Sequence, residues 1–388
     1  MQETNQNKVK CTVCGAILDA DVEVCPVCGV GKEYFVPAVN APAEASIAVA
    51  RRREDGGRYI IIGAGIAGLC AAQEIRRVLS GASIVMIEQE MTLPYLRPSL
   101  SKEVPSTNVG ARFQTYPPEW YSKNGIFLYS GREVIRVDTG RKIVVLSDGE
   151  ELTYDKCIFA TGAASRVPPI EGREMEGVFT LRTVEDFRQM GRYIARTPGK
   201  DRRAVVVGGG VLGLESAMQL QLSGFAVTIL EGGPKLMGAR ASEKEASEAY
   251  RQALSAGFEV YLGVRVNRFE GDGEAVRRVT FTYNDQPVTV DADLVLLSCG
   301  NVPRVDLAKA AGLDVDRAIL VNSRMMTSKY GVYACGDCAQ LGADVCGLWT
   351  TAEAMGRCAG RNAAGEDAIF EFPLPPQGKT QRSGLILK

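Results

Sequence analysis

The chain has 388 residues, 46% of them apolar, and sets 45 Lys plus Arg against 46 Asp plus Glu. That is enough for two or three domains with ordinary cores, and the balanced charge excludes a global pull toward nucleic acid or an anionic membrane surface. No apolar run approaches the roughly 18 residues that span a bilayer, and the N-terminus lacks the apolar stretch of a signal peptide, so a cytoplasmic location is expected.

The first element is a pair of knuckles, Cys11-Thr-Val-Cys14-Gly15 and Cys25-Pro-Val-Cys28-Gly29. Each Cys-x-x-Cys-Gly lets two thiolates grip one metal while turn N–H groups bond the sulfurs. Cys11, Cys14, Cys25 and Cys28 therefore form a four-thiolate candidate site within a module of residues 1–36. Four thiolates suit iron and zinc alike. Histidine is absent from the whole chain, so no site uses imidazole as ligand, base or proton shuttle. Residues 37–57 carry two prolines and the charged run Arg51-Arg-Arg-Glu-Asp55 and read as a linker.

From Arg58 the pattern becomes apolar strand, glycine loop, apolar helix: Tyr59–Ile62, then Gly63-Ala-Gly65-Ile-Ala-Gly68, then Leu69–Val78. The same grammar returns at Ala204–Val207, Gly208-Gly-Gly210-Val-Leu-Gly213 and Leu214–Leu222. These are two βαβ openings of Rossmann type, an internal repeat of a nucleotide-binding unit. The first glycine permits the tight turn, the second lets backbone N–H groups approach a pyrophosphate, and the third lets helix and strand pack closely. The next strand in each repeat ends in an acid, Ile84–Glu88 and Val227–Glu231, and Glu88 and Glu231 are placed to accept hydrogen bonds from ribose hydroxyls. An acid at Glu231 repels a 2′-phosphate, which favours NADH over NADPH, although Lys235, Arg240 and Arg251 stand nearby in sequence.

Further along, Ile158-Phe-Ala160-Thr161-Gly162 and Leu297-Ser-Cys-Gly300-Asn-Val-Pro303 are strand-to-loop crossings, and Val332-Tyr-Ala-Cys335-Gly336-Asp337 ends an apolar strand in Gly-Asp. With these motifs the chain, from 58 to about 364, resembles the two-dinucleotide flavoprotein reductases of the glutathione-reductase type. The resemblance implies an α/β fold of two Rossmann-like domains: a discontinuous FAD domain, 58–165 plus 299–364, with an NADH domain, 166–298, inserted. It also implies that the first loop holds the ADP part of FAD, that Asp337 bonds the ribityl chain, and that the second loop holds NADH.

Within that family this chain departs from the disulfide-reducing branches. No cysteine falls between Cys70 and Cys157, and none in 166–298. The segment Tyr95-Leu-Arg97-Pro98-Ser-Leu-Ser101-Lys102 instead resembles the NADH:rubredoxin reductase and ferredoxin reductase group, with relatives among nitrite reductase flavin domains. That implies a buried pair of Lys102 and Glu215 near flavin N5 as the catalytic charges, with Arg97 orienting the flavin side of the pocket. The helix expected from Trp349 to about Ala364 starts at Trp349-Thr350-Thr351, where Thr350 and Glu353 have capping-box spacing. The resemblance aims its dipole at the flavin N1/O2 edge. Cys335-Gly-Asp-Cys338 is attributed to backbone geometry rather than to redox pairing. Cys70, Cys157, Cys299 and Cys358 are expected as buried small side chains, and Cys346 has no assigned role.

The knuckles, with Cys25 to Phe35, resemble the shortened rubredoxin module at the end of rubrerythrins, although only ten residues lie between Cys14 and Cys25. Joined to a reductase of this group, the module implies iron, with a structural zinc ribbon as the alternative. The expected reaction takes hydride from NADH onto FAD and passes single electrons through Fe(Cys)₄ to a protein acceptor. That acceptor is rubredoxin-like, rubrerythrin-like or a reductase partner subunit, the last giving a hetero-oligomeric complex. The alternatives are an electron-transfer subunit with a zinc knuckle, and an NADH oxidase. Residues 365–388 are expected to form a short tail or a truncated interface domain.

Overall fold

The computed structural model describes residues 8–11, 17–24, 31–32, 35–37, 56–109, 111–197, 199, 201–238 and 241–372. Two compact units divide the chain: the second takes 97–109 and 164–302, and the first holds the remaining described residues.

In the first unit five parallel strands run in the order Val332–Ala334, Lys156–Phe159, Arg58–Ile62, Ser83–Glu88, Ile126–Ser130. Parallel strands are covered on both faces and so read as unbroken apolar runs. Ile61, Ile84, Met86, Ile158 and Phe159 are completely buried, each contributing about 1.5–3 kcal/mol of burial. Helix Ile66–Val78 lies against helix Trp349–Ala363 at backbone contact. A Cβ on Gly356 would stand 2.1 Å from the Ala67 carbonyl oxygen, and one on Gly360 2.4 Å from that of Ala71. Four-residue spacing of glycine and alanine along both helices is what lets them approach this closely.

The second unit repeats the plan. Its parallel order is Val178–Thr180, Leu294–Leu297, Arg202–Val207, Phe225–Glu231, Glu259–Leu262. In each unit the third strand of the βαβαβ run leads into a three-stranded antiparallel meander before the crossing strand. The meander is 134–153 in the first unit and 265–291 in the second. The repeat therefore extends well past the glycine loops, a similarity the loops alone did not reveal.

Segment 97–109 packs with the second unit. Its 3-10 turn Arg97–Lys102 lies on helix Val211–Leu222. A Cβ on Gly191, in helix Val184–Arg196, would fall 2.6 Å from the Ser106 backbone. At the N-terminus, strands Ile17–Asp19, Lys8–Cys11 and Phe35–Pro37 form a small antiparallel sheet. No helix of the described residues is long and apolar enough to cross a membrane.

Candidate dinucleotide and metal sites

The two glycine loops are built from the same bonds. Gly63 and Gly208 take φ of 105° and 111°, a region only glycine enters readily. A Cβ on either would stand 2.2 Å from a carbonyl oxygen of the crossing strand, Ala160 or Ser298. A Cβ on Gly68 or Gly213 would meet the carbonyl of the loop's own first glycine at 2.1 and 2.0 Å. The middle glycines differ in kind. Gly65 and Gly210 have ordinary φ of −64° and −72°, and a Cβ on either meets nothing within 4 Å. Four glycines are thus required by the protein's own packing, while Gly65 and Gly210 border open space, as a pyrophosphate cradle needs.

Both strand-end acids are already oriented. Glu88 accepts from the N–H groups of Ala64 at 2.8 Å and Glu90 at 3.1 Å, and Glu231 from those of Gly209 at 2.7 Å and Gly233 at 2.6 Å. Each carboxylate ties its strand end to the glycine loop and keeps lone pairs for a further donor. Of the three cations beside Glu231 in sequence, Lys235 is held by the Ala241 carbonyl and Glu243, both at 2.8 Å. Arg251 pairs with Glu248, and Arg240 lies outside the described residues.

Helix caps separate two classes among the five described helices longer than ten residues. Val184–Arg196 and Glu243–Ser255 carry full capping boxes, Thr183 with Asp186 and Ser242 with Glu245. Ile66–Val78, Val211–Leu222 and Trp349–Ala363 start at Gly65, Gly210 and Leu348 with no side-chain cap. The capping box expected of Thr350 and Glu353 is not formed. Thr350 lies inside the helix, because the chain turns helical one residue earlier, and Glu353 pairs with Arg357 at 2.9 Å. Uncapped first-turn N–H groups need acceptors, and a dinucleotide phosphate or a flavin oxygen is such an acceptor. The residues present therefore fit FAD and NADH.

The Gly-Asp turn sits beside the first loop. Gly336 has φ 76° and its Cβ would meet that of Ala67 at 2.8 Å. Asp337 is half-buried, and Cys346, unassigned from sequence, sets its thiol beside that carboxylate and donates to the Leu348 carbonyl at 3.6 Å. Burial and that carboxylate push the Cys346 thiol up to about 12. Cys335 and Cys338 are buried free thiols. Cys338 donates to the carbonyls of Phe159 and Cys335 at 3.4 and 3.3 Å, and burial pushes its thiol up while the polar groups of Thr161 and Gly162 act against that rise. The sulfur thus fastens the crossing loop. Thr161 Oγ1 donates to the Arg304 carbonyl at 2.9 Å, and the Arg304 N–H to that of Gly162 at 3.0 Å. Cys70, Cys157 and Cys358 are buried, whereas Cys299 is only half-buried, donating to the Val207 carbonyl at 3.5 Å. In the same crossing Gly300 takes φ 91° and accepts from Arg166 N–H at 2.8 Å. At the start of the last helix Trp349 is half-buried, Thr350 exposed and Thr351 buried.

The expected Lys102–Glu215 pair is present in the second unit but is not buried as a pair. Lys102 Nζ lies 3.9 Å from Glu215 Oε1, with side chains 59% and 17% exposed. A lysine at the end of a surface turn keeps its ammonium in water. The stronger partner of Glu215 is Ser101, a residue with no role expected from the sequence: Ser101 Oγ donates to Glu215 Oε2 at 2.5 Å. Arg97 Nη1 donates to the Arg182 carbonyl at 2.5 Å. Of the metal knuckles, Cys14, Cys25 and Cys28 lie outside the described residues, and only the backbone of Cys11, in strand Lys8–Cys11, lies within them. Among the described residues no group of Cys, Asp and Glu is placed to hold a metal.

Comparison with known proteins agrees with this geometry. Residues 57–356 match the pyridine nucleotide-disulphide oxidoreductase model, and residues 10–36 the rubrerythrin, rubredoxin-like domain. A rubredoxin-NAD(+) reductase of Pseudomonas putida is 34% identical over 282 residues, 72% of this chain and 71% of that one. An NADH oxidase of Methanocaldococcus jannaschii is 32% identical over 331 residues, 82% of this chain and 72% of that one. The crystal structure of NADH:rubredoxin oxidoreductase from Clostridium acetobutylicum superposes with a TM-score of 0.69 at 27% identity, covering 84% of this chain and 80% of that one. The repeated, uncapped glycine loops and these matches lead to one assignment: the chain belongs to the pyridine nucleotide-disulphide oxidoreductase family and carries a rubredoxin-like domain at its N-terminal end.

Proposed function

We propose that the first unit holds FAD and the second NADH, and that electrons leave singly through an iron centre on Cys11, Cys14, Cys25 and Cys28 to a small redox protein. The observation that carries this reading is the twofold recurrence of an uncapped glycine loop with an oriented acid, one in each unit. FAD, when bound, supplies the conversion of a two-electron hydride into single electrons.

The chain's own residues bind and orient. Gly65 and Gly210 leave room for the phosphates; Gly63, Gly68, Gly208 and Gly213 hold the loops in shape; Glu88 and Glu231 receive ribose hydroxyls. In the first unit Ala160, Thr161, Gly162, Gly336, Asp337, Trp349, Thr350 and Thr351 complete the cofactor-binding set; in the second unit Gly300 does so, with Arg97 anchoring the turn that carries Lys102. Lys102 and Glu215 act as a pair of opposite charges for hydride transfer from NADH, so Lys102→Met and Glu215→Gln are each expected to slow anaerobic flavin reduction by about tenfold or more. The carboxylate at Glu231, with Lys235 and Arg251 engaged elsewhere, supports NADH over NADPH.

Iron and a rubredoxin-like or related acceptor are supported by the joining of a rubredoxin-like domain to a reductase whose relatives are named for rubredoxin. Anaerobic titration of iron-loaded protein with NADH tests the relay. Flavin bleaching followed by bleaching of a ferric-thiolate band is expected, and flavin bleaching alone would break the reading. Stoichiometric zinc without iron in protein purified without added metal would favour a structural knuckle instead. The relative named NADH oxidase motivates a second reading, in which oxygen-dependent NADH turnover persists at full rate in Cys11→Ser/Cys14→Ser protein.

A further inference from the structure

We infer that Ser101 is a positioning residue for the Lys102–Glu215 pair: its hydroxyl fixes one carboxylate oxygen of Glu215 so that the other is presented to Lys102. The inference rests on the reading of that pair as acting in hydride transfer from NADH.

The two oxygens of Glu215 have unequal partners. Oε2 receives Ser101 Oγ at 2.5 Å, a charge-assisted length for a hydroxyl on a carboxylate. Oε1 faces Lys102 Nζ at 3.9 Å, beyond direct hydrogen bonding. Ser101 is 4% exposed, whereas the lysine is mostly in water. A hydroxyl has one proton, and its other acceptor, the Pro98 carbonyl, is at 3.4 Å, so the carboxylate takes it. The contact from the buried side is the one able to set the carboxylate's rotamer; a solvated ammonium at 3.9 Å is not.

Both ends of the contact stand on rigid supports. Glu215 lies in the second turn of helix Val211–Leu222, two residues after Gly213, which packs on the Gly208 carbonyl. The helix that opens at the proposed NADH loop therefore carries the acid. Ser101 is the next-to-last residue of the turn Arg97–Lys102, held at one side by Arg97 on the Arg182 carbonyl and beyond it by Ser106 against Gly191. Leu100, next to it, is buried. Without the hydroxyl, Glu215 loses its short contact and rotates toward water or toward Lys102, and the separation of the two charges is no longer set.

The test is stopped-flow anaerobic reduction of the full FAD-loaded chain by NADH. Ser101→Ala is expected to slow flavin reduction about 10- to 100-fold, the scale of a misplacement of about 1 Å, while NADH affinity changes less than about threefold. Ser101→Thr, which keeps the hydroxyl, is expected to restore the rate. In a Lys102→Met background the same Ser101→Ala change is expected to cost little more, because the residues act as a unit. If Ser101→Ala lowers flavin content, Ser101→Cys, a weak donor of similar size, is read in its place with an intermediate rate expected. An unchanged rate in Ser101→Ala, or an effect that multiplies fully onto Lys102→Met, overturns the inference. If Lys102→Met and Glu215→Gln themselves leave flavin reduction unchanged, it is the role of the pair that fails; if they slow it and Ser101→Ala does not, only the role of Ser101 fails.

Discussion

A methyl group on Gly65 or Gly210 meets no protein atom within 4 Å, while one on Gly63, Gly68, Gly208 or Gly213 overlaps backbone at 2.0 to 2.2 Å. Six glycines of one motif therefore divide into four that build the loop and two that serve the ligand. Gly65→Ala is expected to leave a folded protein of parental thermal stability that purifies without flavin, read by bound-flavin absorbance. Gly210→Ala is expected to keep its flavin and to weaken NADH binding about tenfold or more, about 1.4 kcal/mol. Gly68→Ala and Gly213→Ala should instead lower stability, because backbone cannot yield as a side-chain tip does. Retention of full flavin by Gly65→Ala would remove the phosphate from that loop. These six residues were legible in the sequence because their spacing is local. Ser101 was not, since its importance comes from Glu215, which only the fold brings within 2.5 Å; nor was Cys346, whose partner Asp337 is supplied by the fold of the turn.

Elements were read more reliably in type than in their ends. The strands at 59–62, 84–88, 204–207, 227–231 and 332–334 and the helices that follow the two loops all form, because unbroken apolar runs beside glycine turns have few other solutions. The last helix shows where local pattern misleads. Thr350 and Glu353 match a capping box, yet helix geometry starts at Trp349 after Leu348, so the pattern lies inside the first turn. Segment 97–109 has no periodicity to declare which unit it joins, and its anchors on Gly191 and Glu215 are distant in sequence. The cap asymmetry gives a prediction at this scale. Leu348→Asp supplies the missing acceptor to Trp349–Ala363, so the flavin-free protein should gain about 0.5–1 kcal/mol of stability. The same carboxylate competes with flavin for first-turn N–H groups, so flavin dissociation should quicken. Thermal midpoints of flavin-free protein and flavin release rates measure the two effects. A midpoint that rises together with tighter flavin binding would show that this helix end does not face the cofactor.

At the scale of the molecule, the family name speaks of disulphides while every cysteine whose side chain is described, seven in all, is a free thiol. Burial is the first cause that pushes all seven above the ordinary 9.0. Cys70 and Cys346 rise to about 12 and Cys358 to about 11. Such thiols are poor nucleophiles at neutral pH, in keeping with electron flow that bypasses protein sulfur outside the knuckles. Their protonation also sets a limit on stability. An unfolded thiol ionises near 9.0, while the folded one keeps its proton to higher pH, so the folded state binds more protons across that window. The stabilisation is fully present below 9.0 and is lost as pH rises through the folded values. Buried Tyr121 and Tyr154, also raised above their ordinary 10.0, deepen the loss further up the scale. Urea midpoints of reduced protein are therefore expected to hold steady up to about pH 9 and then to fall continuously toward pH 12. Cys157→Ala should lessen the slope while lowering stability at neutral pH, because Cys157 is completely buried in the central sheet. Midpoints that stay level or climb between 9 and 11 would mean that these thiols ionise as readily in the folded chain as in the unfolded one, and the sheet's sulfur would then have to be counted as chemically accessible.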